Sequence, residues 1–299
     1  MIPNPIKFIS KPEYFFHPVQ VFRRLARIGK PTPAEAIVRL PWGADVLARP
    51  GDNATADIYY YGIFDKIVPE AVWRLLDRGE TAVDVGANIG QNASLMASRA
   101  GRDGRVIAFE PHPEIFNDLK SNQHRSHNPA ASPVQLENVA LGQTIGLAWL
   151  AEGEEFSHNR GTASLLSNAE GGKGIQVKIR KLDEYLEDIS QVGVCKIDVE
   201  GHELAVLQGA EATLKRRAIR DIVFEDFNPK PSPVTTLLER HGFKVFALHD
   251  TWLKPRLVPL DLSSPTSPPG FSFNYLATLD SARAVNRFRL PGWRCLMNI

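Results

Sequence analysis

Thr81-Ala82-Val83-Asp84-Val85-Gly86-Ala87-Asn88-Ile89-Gly90 is the stretch that decides the fold. Its first five residues read as a strand buried on both faces, interrupted by one acid. Two glycines follow, and after them a run of helical period. Where a parallel strand hands over to a helix, backbone N–H groups and the positive helix end face a crevice, and glycine lets a ligand approach the backbone. Outward from this point, short β-branched or aromatic runs alternate with helical stretches as far as residue 280, the pattern of an α/β domain with a mostly parallel sheet and helices on both faces. Strands are expected at 81–85, 105–110, 134–139, 194–199, 221–227, 244–249 and 273–279, a seven-stranded sheet. Helices are expected near 89–100, 113–124, 203–217 and 232–241, with Gly242 ending the last. Residues 142–182 break the alternation. They read as an extra pair of strands (Ile145 to Leu150, Gln176 to Leu182) around a long polar loop.

The glycine spacing separates classes of ligand. A dinucleotide fold uses G-x-G-x-x-G to hold a pyrophosphate, whereas this turn is G-x-x-x-G with Asp84 two positions before its first glycine. A carboxylate there suits a cationic ligand. S-adenosylmethionine, with its sulfonium and ammonium groups, is compatible with it by Coulomb attraction. The second strand, Arg105-Val-Ile-Ala-Phe-Glu110, ends in an acid 20 residues after Gly90, where it can chelate a ribose diol. Asn138, after the third strand, is placed to hydrogen-bond an adenine ring, although Asn at a strand end is also ordinary turn chemistry. The expected cofactor residues are therefore Asp84, Gly86, Asn88, Gly90, Glu110 and Asn138.

The second informative segment is Val194-Cys-Lys-Ile-Asp198-Val-Glu200-Gly201-His202-Glu203. A strand here runs into an acidic turn and then a helix. Transfer of a methyl group to a hydroxyl requires alignment of the acceptor and removal of its proton, and Asp198, Glu200 or His202 could supply the base. Glu203 reads instead as a helix-terminus charge. Glu225, Asp226, His249 and Asp250 end the next strands. Oxygen ligands of this kind suit Mg²⁺, but their spacing singles out no metal site.

The remaining composition sets bounds. The 299 residues are 43% hydrophobic and 23% charged, with a formal net charge of +1, so the chain reads as globular and lacks the basic field that draws proteins to nucleic acid. Only Cys195 and Cys295 occur, which excludes a disulfide framework and fits a reducing compartment. With no membrane-spanning run and a Lys- and Pro-interrupted N-terminus, the expected location is cytoplasmic. Residues 1–80 are expected to be an extension packing on the 81–280 domain, and 281–299 a tail. Val19 to Ile28 is a basic amphipathic helix candidate, more often a docked helix than a membrane-surface one. Arg283, Arg287, Arg289 and Arg294, interleaved with Phe288 and Trp293, read as a solvated tail that packs its aromatics.

Taken together, the sequence resembles the FkbM family of methyltransferases, a branch of the class I Rossmann-like enzymes. The matching pieces are Tyr61-Gly62-Ile63-Phe64-Asp65, DVGANIG at 84–90, FEP at 109–111, NVAL at 138–141 and, most specifically, KIDVEGHELAVLQGA at 196–210. The likeness runs from about residue 55 to 279. It implies a seven-stranded sheet with a reversed last hairpin, S-adenosyl-L-methionine as methyl donor, and O-methylation of a saccharide, glycolipid or natural-product hydroxyl. It puts Asp84, Gly86, Asn88, Gly90 and Glu110 on cofactor-contacting positions, and the turn of Asp198, Glu200 and Gly201 near the reacting methyl. The alternatives are a nicotinamide-dependent oxidoreductase and a cofactor-binding protein without catalysis. The acceptor, the oligomeric state and peripheral membrane contact stay open, because the segments shaping the acceptor pocket (Tyr59 to Tyr61, residues 151–174 and the termini) carry no readable code.

Overall fold

The computed structural model describes residues 11–27, 30–126, 128–151, 164–166, 174–260 and 273–297. Two helices, α1 (Pro12–Phe15) and α2 (Val19–Leu25), precede a short hairpin, β1 (Ala36–Arg39) with β2 (Asp45–Ala48). The central sheet contains β3 (Thr81–Val85), β4 (Arg105–Phe109), β5 (Val134–Glu137), β10 (Val192–Ile197), β11 (Ile219–Glu225), β12 (Lys244–His249), β13 (Arg256–Pro259) and β14 (Asn274–Thr278). Their order is β13-β12-β14-β11-β10-β3-β4-β5. The β11-β10-β3-β4-β5 block is parallel, and β14 runs antiparallel to both β11 and β12.

Seven expected strands are present, in a sheet of eight. The additional strand, β13, pairs with β12 alone. Its sequence, Arg-Leu-Val-Pro, ends in the residue that cannot donate to a ladder. Proline is tolerated at an edge position, and the same residue hides such a strand from pattern reading.

From β3 the chain proceeds to β4 and β5 on one side and later reaches β10 and β11 on the other. Strand order therefore reverses between β3 and β10. A crevice opens outside the carboxyl ends of the strands at such a switch point.

Alternation along the strands gives each face of the sheet its own core. Ala82, Val106, Val194 and Val223 face one side, whereas Val83, Val85, Ile107, Cys195, Ile222 and Phe224 face the other. The first face is covered by the N-terminal hairpin through Val38, Leu40 and Val46 and by α4 (Ile67–Leu75). It is also covered by α5 (Gln91–Ala100) and by the C-terminal aromatics Phe288 and Trp293. The second is covered by α7 (Leu182–Leu186), α8 (Glu203–Gln208), α9 (Glu211–Lys215) and α10 (Pro233–Arg240). The expected helix over 203–217 is thus two helices. At Gly209, between them, a Cβ would lie 2.1 Å from the Gly142 carbonyl oxygen, so only glycine lets that loop pack against the junction.

A second sheet, β6 (Ala140–Leu141), β7 (Gly146–Ala151), β8 (Ser164–Leu166) and β9 (Ile175–Arg180), has the order β6-β9-β7-β8. β7 and β9 are the extra antiparallel pair expected around the polar loop. Most of that loop, residues 152–163 and 167–173, lies outside the described residues.

The arginine-rich C-terminus is fastened to the body. Arg283 and Arg287 pair with Asp77 at 2.7 and 2.8 Å. Fully buried Arg74, paired with Glu70 at 2.7 Å, donates to the carbonyls of Arg287, Leu290 and Gly292. The early helix α2 (Val19–Leu25) turns Gln20 inward and leaves Val19 and Phe22 exposed. The side chains of Val21 and Leu25, and Ile28, on which the expected apolar stripe rests, lie outside the described residues. Among the described residues no helix is long and apolar enough to cross a membrane.

Candidate active site

The carboxyl ends of β3, β4, β5, β10 and β11 frame one cleft of about 330 Å³. Its floor is the turn after β3, where Gly86 adopts φ +75°. A Cβ on Gly86 would meet the Asp198 carbonyl oxygen at 1.9 Å, so only glycine lets the β3 and β10 turns lie this close.

Every amide from Gly86 to Gly90 has a partner within the protein. Gly86 and Ala87 N–H donate to the Phe109 carbonyl at 3.0 and 2.8 Å. Asn88 N–H donates to Glu110 Oε2 at 2.9 Å, Ile89 N–H to the Asn88 side-chain oxygen at 2.7 Å, and Gly90 N–H to the Ala87 carbonyl at 2.9 Å. Such a turn presents no spare N–H cradle for a pyrophosphate, the requirement of a dinucleotide site.

At the β4 end stands Glu110, buried, with Oε1 accepting from His112 N–H at 2.9 Å. Burial raises its carboxyl to about 7 against the opposing pull of the His112 and Asn88 amides. Ile89, Ile115, Val139 and Leu141 form an apolar wall beside it. Asn138 does not line the cleft. Its amide donates to the carbonyls of Glu110 and Pro111 at 2.8 and 3.0 Å, which braces the β4 turn. Gly90 caps α5 and also lies off the lining.

Asp84 lies under the floor rather than on it. It is the direct partner of Lys196 across the β3–β10 ladder, so both side chains project to the same face, and Lys196 Nζ sits 3.2 Å from Asp84 Oδ1. The ammonium also donates to the Gly86 carbonyl at 2.6 Å and approaches Asp198 Oδ2 at 3.5 Å. Burial disfavours the Lys196 charge, but Asp84 and Asp198 outweigh it and hold the lysine protonated above its ordinary range. Burial likewise pushes the Asp84 carboxyl up, and Lys196 opposes it.

The other end of the cleft is acidic. Asp198 and Glu200 come from the turn after β10, Glu225 from the end of β11, and Asp65 from the loop between α3 (Asn53–Tyr61) and α4. Gln91 fixes that loop, accepting from Phe64 N–H at 2.8 Å and donating to the Phe64 carbonyl at 2.9 Å. Asp65 opens into the cleft but is enclosed by protein on its other sides. This enclosure and the Asp198 charge raise its carboxyl to about 6, although Asn274 donates to it at 2.9 Å. Glu225 rises further, to about 8, through burial and the negative charges of Asp198, Glu200 and Asp65. His202 stands at the start of α8 and does not line the cleft. Glu203 Oε1 accepts from Val199 and Gly201 N–H at 3.2 and 3.1 Å and so closes the turn that carries Asp198 and Glu200. Asp226 is turned to Lys230 at 2.8 Å. Among the described residues no group of three or more His, Cys, Asp or Glu side chains has the arrangement to hold a metal.

The sequence alone gave no role to Lys196, Asn274 or Phe227, treated Glu225 only as an oxygen ligand, and quoted Asp65 only within a matching motif. A lysine inside the otherwise apolar Val-Gly-Val-Cys-Lys-Ile run was the available signal for the buried pair.

The raised carboxyls have a measurable consequence. From roughly pH 4 to about 8 the folded chain holds protons on Glu225, Glu110 and Asp65 that the unfolded chain has released, so stability falls as pH rises through that window. Between pH 7 and 8.5, Glu225, partly exposed and so screened by solvent, contributes a loss of about 0.5–1 kcal/mol, a fall in Tm of about 1–3 °C. A Tm that rises over this interval in ligand-free protein, followed calorimetrically, contradicts the assigned shifts.

A parallel sheet with a switch-point cleft, an acid at the tip of β4 and acidic turns after β10 and β11 is the arrangement of a class I methyltransferase. Comparison gives the family: the chain belongs to the FkbM methyltransferase domain family, whose model matches residues 84–245. It is 28% identical over 188 residues to the hexuronic acid methyltransferase AglP of Haloferax volcanii, a match covering 56% of this chain and 72% of that protein. It is 28% identical over 198 residues to methyltransferase 1 of Beauveria bassiana, covering 58% and 76%. The 31-O-demethyl-FK506 methyltransferase FkbM of Streptomyces tacrolimicus is 31% identical over 205 residues, covering 58% of this chain and 75% of its own. The chain is an S-adenosylmethionine-dependent methyltransferase.

Proposed function

We propose that the cleft binds S-adenosylmethionine across the switch point and that the enzyme methylates a hydroxyl of a saccharide or natural-product acceptor. One observation carries this reading: the same cleft has an acid beside an apolar wall at its β4 end and a row of carboxylates at its β10–β11 end, over a turn with every amide occupied. The first end suits a ribose and adenine, the second a cationic sulfur centre, and the turn disfavours a pyrophosphate and so the nicotinamide alternative. Glu110 is the ribose ligand, Asn88 and Gly86 shape the turn beneath it, and Val139 and Leu141 flank the base. Asn138 acts by holding the Glu110 turn. When bound, the cofactor supplies an electrophilic methyl group on a sulfonium.

The chain's own residues align the acceptor and handle its proton. Asp198, held beside Lys196, stands where the β3 and β10 turns meet. Glu225 takes the acceptor's proton, because a carboxyl raised to about 8 is poised near neutral pH as a hydroxyl's base should be. Glu200 shares the same wall. His202, off the cleft, contributes to the turn and not to the chemistry. Two of the names among the relatives support this: a hexuronic acid methyltransferase favours a sugar acceptor, and a 31-O-demethyl-FK506 methyltransferase favours an oxygen.

Glu225→Gln is the corresponding test. It should lower kcat by about 10²–10⁴-fold with cofactor-product affinity retained and should remove the alkaline rise in rate, which single-turnover methyl transfer against pH measures. A variant that keeps wild-type turnover assigns the proton to another group.

A further inference from the structure

The acceptor half of the cleft, over β10, β11 and β14, has a composition of its own. Asp65, Asp198, Glu200 and Glu225 line it, together with Asn274 and Phe227. Lys196 is the ammonium among the lining residues, and it is already engaged by Asp84, Asp198 and the Gly86 carbonyl. Phe227 is 55% exposed, with its ring 4.7 Å from that of Phe273, itself 52% exposed, so an open aromatic pair adjoins the carboxylates. An apolar platform beside hydrogen-bond acceptors suits a ring with one C–H-rich face and several hydroxyls, whose O–H groups donate to carboxylates. A substrate carboxylate or phosphate in the same place would meet like charges, without a free cation among the described lining residues to pair it.

We infer that this half-cleft is a charge filter: it admits a polyhydroxyl acceptor that is neutral or positively charged at its reacting end and turns away uronic acids and sugar phosphates. The inference rests on the cofactor placement proposed above. A bound cofactor carries a net charge of one positive unit at most, which leaves the wall acidic. Burial first, and the neighbouring carboxylates after it, make Glu225 and Asp65 hold their protons above the ordinary range, so the wall resists further negative charge. The kinship with a protein named for hexuronic acid therefore does not extend to the acceptor's charge.

Binding of three probes of one shape and different charge decides the matter: methyl glucoside, methyl glucosaminide and methyl glucuronate, each titrated by saturation-transfer NMR into protein saturated with S-adenosylhomocysteine. The expected result is a Kd for the glucuronate at least about ten-fold weaker than for the other two. At pH 9, where Glu225 has released its proton, the gap should narrow to about three-fold or less in Glu200→Gln and Glu225→Gln, both checked for retained S-adenosylhomocysteine binding. Glucuronate binding as tightly as the glucoside overturns the filter. So does an unchanged gap in both variants, or binding of none of the three probes to cofactor-product-loaded protein. Failure of S-adenosylhomocysteine itself to bind overturns the cofactor placement, and the filter with it, and is seen before any sugar is added.

Discussion

Replacing Lys196 by Met lowers the stability of the fold by about 3–5 kcal/mol, because it leaves Asp84 buried without its countercharge. Asp84 has no exposed surface and lies within β3 (Thr81–Val85) at the centre of the sheet, so solvent cannot take over from the lysine. For a chain of this size the loss corresponds to a Tm lower by roughly 10 °C. The cause can be separated from simple loss of packing. The double substitution Asp84→Leu with Lys196→Met replaces both charges by apolar groups of similar volume, and it should recover most of the loss. Calorimetric unfolding of both variants measures this. A double variant less stable than Lys196→Met would show that the pair is not the source.

Gly86→Ala carries the second large effect, on ligand binding as much as on folding. The φ of +75° is costly for alanine, and the new Cβ would start 1.9 Å from the Asp198 carbonyl oxygen. The β3 and β10 turns must then separate, which moves the cleft floor and the Asp198 side chain together. Affinity for S-adenosylhomocysteine should fall by at least about 100-fold, with a stability loss of about 1–3 kcal/mol. Wild-type affinity in a folded Gly86→Ala protein would mean that the cofactor does not use this floor.

The seven strands found where expected owe their legibility to composition. Runs such as Ala82-Val83-Asp84-Val85 and Val192-Gly193-Val194-Cys195 are long enough in apolar residues to be strands buried on both faces. β13 was not legible, because its proline and its single partner belong to an edge. The ends of β3, β4 and β10 were also readable, since an acid or glycine directly after an apolar run marks the carboxyl edge. What spacing could not supply was direction. Asp84 was expected to face a cationic ligand, but the one-to-one register of β3 with β10 turns it toward Lys196 beneath the floor. His202 follows the same turn as Glu200 and yet is not among the residues lining the cleft, a difference of two residues along a tight bend. Asp65 reaches the site through the Gln91–Phe64 hydrogen bonds, a tertiary contact between residues 27 apart. Glu225 becomes a base candidate through its burial and through the negative neighbours that two other chain segments, the turn after β10 and the Asp65 loop, bring to it.

The central claim is that the cleft between Glu110 and Asp198 holds the methyl donor. Isothermal titration of S-adenosylhomocysteine into the wild-type protein and Glu110→Ala tests it most directly. The account predicts one site per chain in the wild type and an affinity about 10–100-fold weaker in the variant, the expected loss of charge-assisted hydrogen bonds. Equal affinity in both proteins, or no binding to the wild type, would contradict it.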